Sequence, residues 1–281
     1  MGQEPTYDYT DYKEIIATGR LPEIGRGSFG KVYAHENRAI KIVFIGVEPG
    51  LANPNHEYDE VYDEHIRELL CLTEIKNGQK RNDPGSQYLI QIFDIAVDLY
   101  GEGYAISMAL AQISLFQLIT SSNWEGRAFD ISPLFELEGA LQFLHSLGWW
   151  HRDIKPGNIL FCGRDDSTVY KLCDVGQARP FGTAFGINDS TPQCQTTYLY
   201  ALPGLLLQSK RPNIGCDADY YALGASILHA LFPEKFYLEE ETEKNGLHFA
   251  LHVVPPLLKQ SESRLLPHEM DCLWKWISFQ E

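Results

Sequence analysis

Residues 151–158 read HRDIKPGN, directly after the bulky run LHSLGWW at 144–150. The bulky run spells a buried helix end and a strand. Eight positions then hold three cations, a carboxylate, a proline, a glycine and an amide. An apolar core has no use for such groups. The stretch is therefore a working site or the remains of one, and its surroundings decide between the two.

Asp153 and Asn158 stand five apart in this stretch with Lys155 between them. An alcohol attacking a phosphorus centre needs a carboxylate to orient its hydroxyl and take its proton, a cation to offset charge, and oxygen ligands for Mg²⁺. All three kinds of group are present. Twenty-one residues beyond Asp153 comes CDVG, with Asp174 at the end of the short strand VYKLC, where a carboxylate can hold a phosphate-bridging metal. Far upstream, GRGSFGKV at 25–32 is a G-x-G-x-x-G-x-V. It joins two strands, whereas a dinucleotide fingerprint runs from a strand into a helix, so it reads as a flap whose backbone N–H groups approach phosphates. Lys41 then sits alone among Ala39, Ile40, Ile42 and Val43, and its ammonium needs an anionic partner. Glu68 and a nucleotide's phosphates both qualify, and Glu64 on the same helix face leaves the carboxylate open. Separately these are a hairpin turn, an edge lysine and a turn aspartate; here every ordinary reading would have to hold at once.

The chain has 281 residues, 44% of them hydrophobic, enough for one large domain or two small ones with a sizeable core. Lys and Arg number 23 against 38 Asp and Glu, and the net charge of −15 argues against nucleic acid or anionic lipid as partners. The acidic runs EYDEVYDE (57–64) and LEEETE (238–243) read as solvated faces. Six cysteines show no C-x-x-C and no secretory signal opens the chain, which suits a reducing compartment, cytoplasmic with the nucleus allowed. YYALGASILHALF (220–232) is too short to span a membrane and reads as a buried helix. MGQEPT fits an N-myristoylation pattern at Gly2, although Glu4, Pro5 and the lack of a basic cluster weigh against it. Residues 21–45 suggest three antiparallel strands, and YLIQIFDIAVDL and GYAISMALA two more. Between them EVYDEHIRELLCLTEI is a helix with Ile66, Leu69 and Leu70 on one face. Beyond about residue 113 the texture is helical, as in SPLFELEGALQFLHSLG, with Ser132 as cap, Pro133 as first position and Gly148 as stop. No internal repeat is visible.

These motifs, in this order, resemble the eukaryotic protein kinases from about Leu21 to about Phe232. The resemblance implies an α+β, two-lobed kinase fold in one domain over 1–281: an antiparallel N-lobe (1–108), a hinge (109–112) and a mainly helical C-lobe (113–281). It also implies ATP and Mg²⁺ as cofactors and protein substrates as partners. By it Ile24, Gly25, Gly27, Ser28, Phe29 and Gly30 line the phosphate flap, and Lys41 contacts phosphates and pairs with Glu68. Val32, Ala39 and Leu160 surround the adenine, with Met108 as gatekeeper and Ala109 and Ala111 on the hinge backbone. Asp153 is the base, Lys155 steadies the γ-phosphate, Asn158 and Asp174 bind Mg²⁺, and His151 packs behind the loop. Asp219 in DADYYALG anchors that loop through its backbone. Lys155 before PGN and Thr197 in TTYLYALP match the serine/threonine branch. Arg152 and Arg179 are placed to receive a phosphate on Ser190 or Thr191.

Three departures stand against this pattern. Val175 replaces the phenylalanine of Asp-Phe-Gly, a large-to-small change worth about 1–4 kcal/mol unless neighbours such as Trp149 and Trp150 fill the space. Gly204 replaces the glutamate of Ala-Pro-Glu, and the arginine that pairs with it is expected past the end, so both halves of that pair are missing. The C-terminal end comes early for the family, either because the lobe is trimmed or because the chain is part of a longer protein, and a regulatory protein partner that completes it is left open. The leading reading is an active serine/threonine kinase. A pseudokinase serving as an ATP-binding interaction module, and a small-molecule phosphotransferase of related fold, are the alternatives.

Overall fold

The computed structural model describes residues 8–26, 30–44, 58–98, 103–121, 130–162, 168–182, 197–206, 214–238 and 242–278, with backbone alone at 58–62, 214 and 243. The chain divides into two compact units, one formed by Met1–Asn82 with Ile90–Ala111, the other by Asp83–Leu89 with Gln112–Glu281. The first holds an antiparallel sheet and the second is mainly helical, the two-lobed α+β kinase fold.

Five antiparallel strands make the sheet of the first unit: β1 (Glu23–Arg26), β2 (Gly30–His35), β3 (Arg38–Phe44), β4 (Ile92–Val97) and β5 (Gly103–Ala109), in the order β1-β2-β3-β5-β4. Because side chains alternate along a strand, Ile40 and Ile42 leave β3 on one face and Lys41 on the other. The sequence reading passed over the helix that covers the first face, α1 (Tyr9–Ala17). Asp8 starts it: the Asp8 carboxylate accepts the Asp11 N–H at 2.8 Å, and the Asp11 carboxylate accepts the Asp8 N–H at 2.9 Å. Its stripe of Tyr9, Tyr12 and Ile16 then packs on Ile40, Ile42, Ala96 and Ala105.

On the Lys41 side lies α2 (Tyr58–Arg81), longer than the sequence reading had it. Two expectations fail here. Ile66 and Leu70 are exposed (38% and 53%), and the covered face carries Glu64, His65, Glu68, Cys71, Leu72 and Ile75. Glu64, expected on a solvated run, is thus buried. Polar groups can turn inward on this helix because the strands offer them partners, as Glu68 shows with Lys41. The C-terminal end of α2 is tied to β4 as well. Lys76 meets Asp94 at 2.9 Å, and the Gln79 amide donates to Ile90 O and accepts the Ile92 N–H at 2.9 and 3.0 Å.

The second unit contains the sheets β6-β8-β9 and β10-β7, where β6 is Ile113–Ser114, β7 Trp149–Trp150, β8 Ile159–Phe161, β9 Tyr170–Leu172 and β10 Arg179–Pro180. Its helices are α3 (Leu115–Thr120), α4 (Leu137–Ser146), α5 (Pro203–Leu206), α6 (Ile214–Leu231), α7 (Glu243–His252), α8 (Val254–Ser261) and α9 (Pro267–Ile277). The stretch at 132–148 does not start as read. Ser132–Leu134 is a 3₁₀ turn whose first N–H is taken by the Asp130 carboxylate at 3.0 Å, and α4 proper begins at Leu137. Gly148 does end it, at φ +83°, where a side chain would be strained. Helix α6 is buried all round from Tyr221 to Ala230, as its continuous apolar pattern requires. Trp150 lies against Phe181, ring centres 5.1 Å apart, and over Gly215, so its bulk is spent there. Late in the unit Arg264 donates to Leu231 O at 2.7 Å and lies over the Phe232 ring.

One buried histidine makes the second unit sensitive to acid. His229 on α6 stacks on Phe236 at 4.8 Å, and its Nδ1 lies 2.7 Å from the Tyr200 hydroxyl. Burial pushes its pKa down to about 4. The folded unit therefore binds fewer protons at this group than the unfolded chain does. Its stability contribution is complete above the unfolded pKa of about 6.5 and is lost as pH falls toward 4, on the order of 3 kcal/mol. Urea unfolding between pH 7 and pH 4 should show this loss, and His229→Gln should give a distinctly flatter curve.

Candidate active site

The second unit builds its candidate site on one carboxylate. Asp219, 2% exposed on α6, accepts the His151 and Arg152 backbone N–H groups, each at 2.8 Å, and lies 2.9 Å from His145 Nε2. These contacts hold the start of the 151–158 loop. Arg152 there has φ +70°, a left-handed conformation that costs a non-glycine residue on the order of 1 kcal/mol and persists only when its surroundings impose it. His151 is wholly buried and works from behind: its Nδ1 receives the Asp153 N–H at 3.3 Å, so the opposite nitrogen carries the proton and donates to Cys173 O at 3.1 Å. The loop is thereby tied to the end of β9.

Four sequence-selected groups meet at this place. The Lys155 ammonium lies 2.8 Å from both carboxylate oxygens of Asp153. The Asn158 amide nitrogen donates to Asp153 O at 2.7 Å and to its Oδ2 at 2.9 Å. With the NH₂ engaged, the side-chain oxygen of Asn158 is the atom suited to a hard cation. Cys173 N–H donates to Asn158 O at 2.9 Å, which sets Asp174, the next residue, beside Asn158. Asp174 is itself left-handed at φ +62°. Burial pushes the Asp153 carboxyl above its ordinary range; Lys155 and His151 oppose this and Asp174 adds to it. Two protein oxygens from an amide and a carboxylate fit Mg²⁺, which keeps waters and takes its remaining ligands from substrate phosphates.

In the first unit Lys41 Nζ lies 2.8 Å from Glu68 Oε1, so Glu68 is a carboxylate partner of this lysine. Strand register places Val32, Ala39 and Met108 on the same sheet face as Lys41, through the pairs Val32↔Lys41 and Ala39↔Met108. Gly25 faces Val32 on β1. Gly30 has a packing reason of its own, since a Cβ there would come within 2.2 Å of Ile42 O. Ile24 is exposed on β1, Ala109 donates its N–H to Gln91 O at 2.9 Å, and Ala111 follows β5. Gly27, Ser28, Phe29, Ser190 and Thr191 lie outside the described residues.

In the second unit Leu160 lies on β8, opposite Ser114 and Lys171. Thr197 heads the turn Tyr198–Tyr200, and its hydroxyl makes no hydrogen bond to Asp153 or Lys155 among the described residues. Arg179 is buried, with a guanidinium hydrogen bond to Ala178 O at 3.0 Å, and Val175 is 3% exposed.

Sequence reasoning missed two groups. The Tyr104 hydroxyl on β5 donates to the second oxygen of Glu68, and His65 Nδ1 lies 3.3 Å from that hydroxyl. The signal was present in part, because His65 falls one helical turn before Glu68 on the same face.

Loss of the anchoring carboxylate has a defined cost. Asp219→Asn keeps one acceptor oxygen and turns the other into a donor facing backbone N–H, so urea unfolding should show a loss of about 1.5–3 kcal/mol.

A model of the protein kinase domain matches residues 19–268. The chain is 29% identical over 237 residues to Mitogen-activated protein kinase 4 of Oryza sativa subsp. japonica, covering 80% of this chain and 57% of that protein. It is 29% identical over 259 residues to Sporulation protein kinase mde3 of Schizosaccharomyces pombe, covering 83% and 42%. With Serine/threonine-protein kinase PknK of Mycobacterium tuberculosis it shares 26% over 259 residues, 88% of this chain and 21% of the relative. It thus spans 57% and 42% of the first two relatives.

Proposed function

Because the chain belongs to the protein kinase family, we propose that it is an active serine/threonine kinase that transfers the γ-phosphoryl group of Mg-ATP to a protein hydroxyl. One observation carries this reading: Asp153, Lys155, Asn158 and Asp174 occupy one anchored loop-and-strand arrangement, with the base clamped between an ammonium and an amide. Two of the four left-handed non-glycine residues among those described, Arg152 and Asp174, fall in this arrangement and support it, since strain of that kind is retained at sites that use it. The names of the relatives, serine/threonine kinases among them, point the same way.

In the reaction, the acceptor oxygen forms a bond to the γ-phosphorus as the bond to the departing ADP oxygen breaks. Asp153, ionised, orients that hydroxyl and takes its proton. Lys155 offsets negative charge on the group in transit, and Lys41, held by Glu68, steadies the α and β phosphates. When bound through Asn158 and Asp174, Mg²⁺ supplies charge neutralisation between the phosphates. On this reading Gly25 and Gly30 belong to the flap over the phosphates, and the sheet face of Val32, Ala39 and Met108 meets the adenine. Serine/threonine preference rests on Lys155 and Thr197. Among the described residues, five free cysteines and the absence of a helix long and apolar enough to cross a membrane support a cytoplasmic or nuclear setting.

Gly204 and Val175 favour a second reading, an interaction module that keeps nucleotide binding without transfer. Labelled Mg-ATP with a basic acceptor protein separates the two. The enzyme transfers label, Asp153→Ala lowers kcat by roughly 10²–10⁴-fold, and acid hydrolysis yields phosphoserine and phosphothreonine. Mg-ATP binding with no transfer by the unaltered chain identifies the second reading.

The pH profile gives an independent check. Asp153 must be ionised, so kcat/KM falls as pH drops through a pKa raised above the ordinary carboxylate range. In Lys155→Met the cation that pulls this pKa down is gone, and the acid limb of the profile should move to higher pH.

A further inference from the structure

Glu68 is gripped at both oxygens. Oε1 faces Lys41 Nζ at 2.8 Å and Oε2 accepts the Tyr104 hydroxyl proton. A carboxylate held only by a lysine can follow that flexible side chain. A second anchor on a rigid phenol fixes its rotation. Tyr104 is fully buried, and the pairs Val43↔Tyr104 and Lys41↔Ile106 set β5 beside the strand that bears the lysine. Its single proton goes to Glu68, so the His65 nitrogen at 3.3 Å is the donor and the tyrosine oxygen the acceptor. Burial lowers the pKa of His65, which suits a neutral ring. The histidine ring stands edge-on to Tyr104, centres 5.8 Å apart. Helix α2 thus touches one tyrosine through two residues a turn apart, while Lys76 and Gln79 fix its far end.

We propose that Tyr104, seated by His65, is a positioning residue for Lys41: through Glu68 it sets where the ammonium stands and hence how the nucleotide phosphates are held. This rests on the reading of Lys41 as a phosphate contact. A buried tyrosine that merely fills the core predicts something different, because Tyr104→Phe keeps the ring and removes only the hydroxyl.

The test uses the whole chain and two readouts. In Tyr104→Phe, still cooperatively folded by thermal unfolding and circular dichroism, kcat for phosphoryl transfer falls about tenfold with little change in KM. In ¹⁵N-lysine spectra the Lys41 ammonium resonance, identified by its loss in Lys41→Met, shifts and exchanges faster with water. His65→Leu moves both readouts in the same direction by less, and His65→Gln, which restores a donor, recovers them. If the unaltered chain transfers no phosphate but the Lys41 resonance responds, the positioning role stands and the kinase reading falls. A folded Tyr104→Phe with unchanged kcat and an unmoved Lys41 resonance overturns the proposal. So does failure of both Tyr104→Phe and His65→Leu to fold, which would make the tyrosine a core residue.

Discussion

The acceptance of two consecutive backbone N–H groups by the Asp219 carboxylate is the constraint on which the second unit's site depends. A loop carrying a carboxylate, a cation and an amide has no reason of its own to adopt one shape. Its charges attract, but attraction alone allows many arrangements. A buried ion aimed at main-chain donors removes that freedom, because any other path for the loop leaves a carboxylate desolvated without partners. His151 extends the constraint from the loop to the end of β9, which is how Asp174, distant in sequence, comes to act on the charge of Asp153.

The first unit solves a similar problem with an ion pair backed by a neutral phenol. Lys41 stands among apolar neighbours, and its charge is matched by Glu68 on a helix rather than by a residue of its own sheet. A helix can shift against a sheet, so the match is only as good as the docking of α2. Hydrogen bonds from Tyr104, Lys76 and Gln79 spread that docking over several turns, and the exposed side of the helix is left to Ile66 and Leu70.

What the sequence revealed and what it hid follow from the range of each interaction. The 151–158 loop, Asp174 and Lys41 were legible because charged groups in apolar company demand a reason, and that demand is local. Strands β2 and β3 were legible from alternation and a glycine turn. The covered face of α2 was not, because counting apolar residues selects Ile66, Leu69 and Leu70. The true inner face is partly polar and becomes acceptable only once Lys41 and Tyr104 are in place. Helix α1 was missed because its two tyrosines read as ordinary polar-tipped residues until the sheet surface they cover is known. The contacts of Arg264, a carbonyl and a ring, were not legible because they leave no mark in a motif.

The matched family region begins at residue 19, and α1 lies wholly before it. That helix supplies the wall against which the outward side of β3 is sealed, on the strand whose inward side bears Lys41. A fragment started at the family boundary would carry a bare greasy strip of Ile40, Ile42, Ala96 and Ala105 into water, and such strips find one another. The segment that lies outside the matched region is thus the one that covers this face of the sheet.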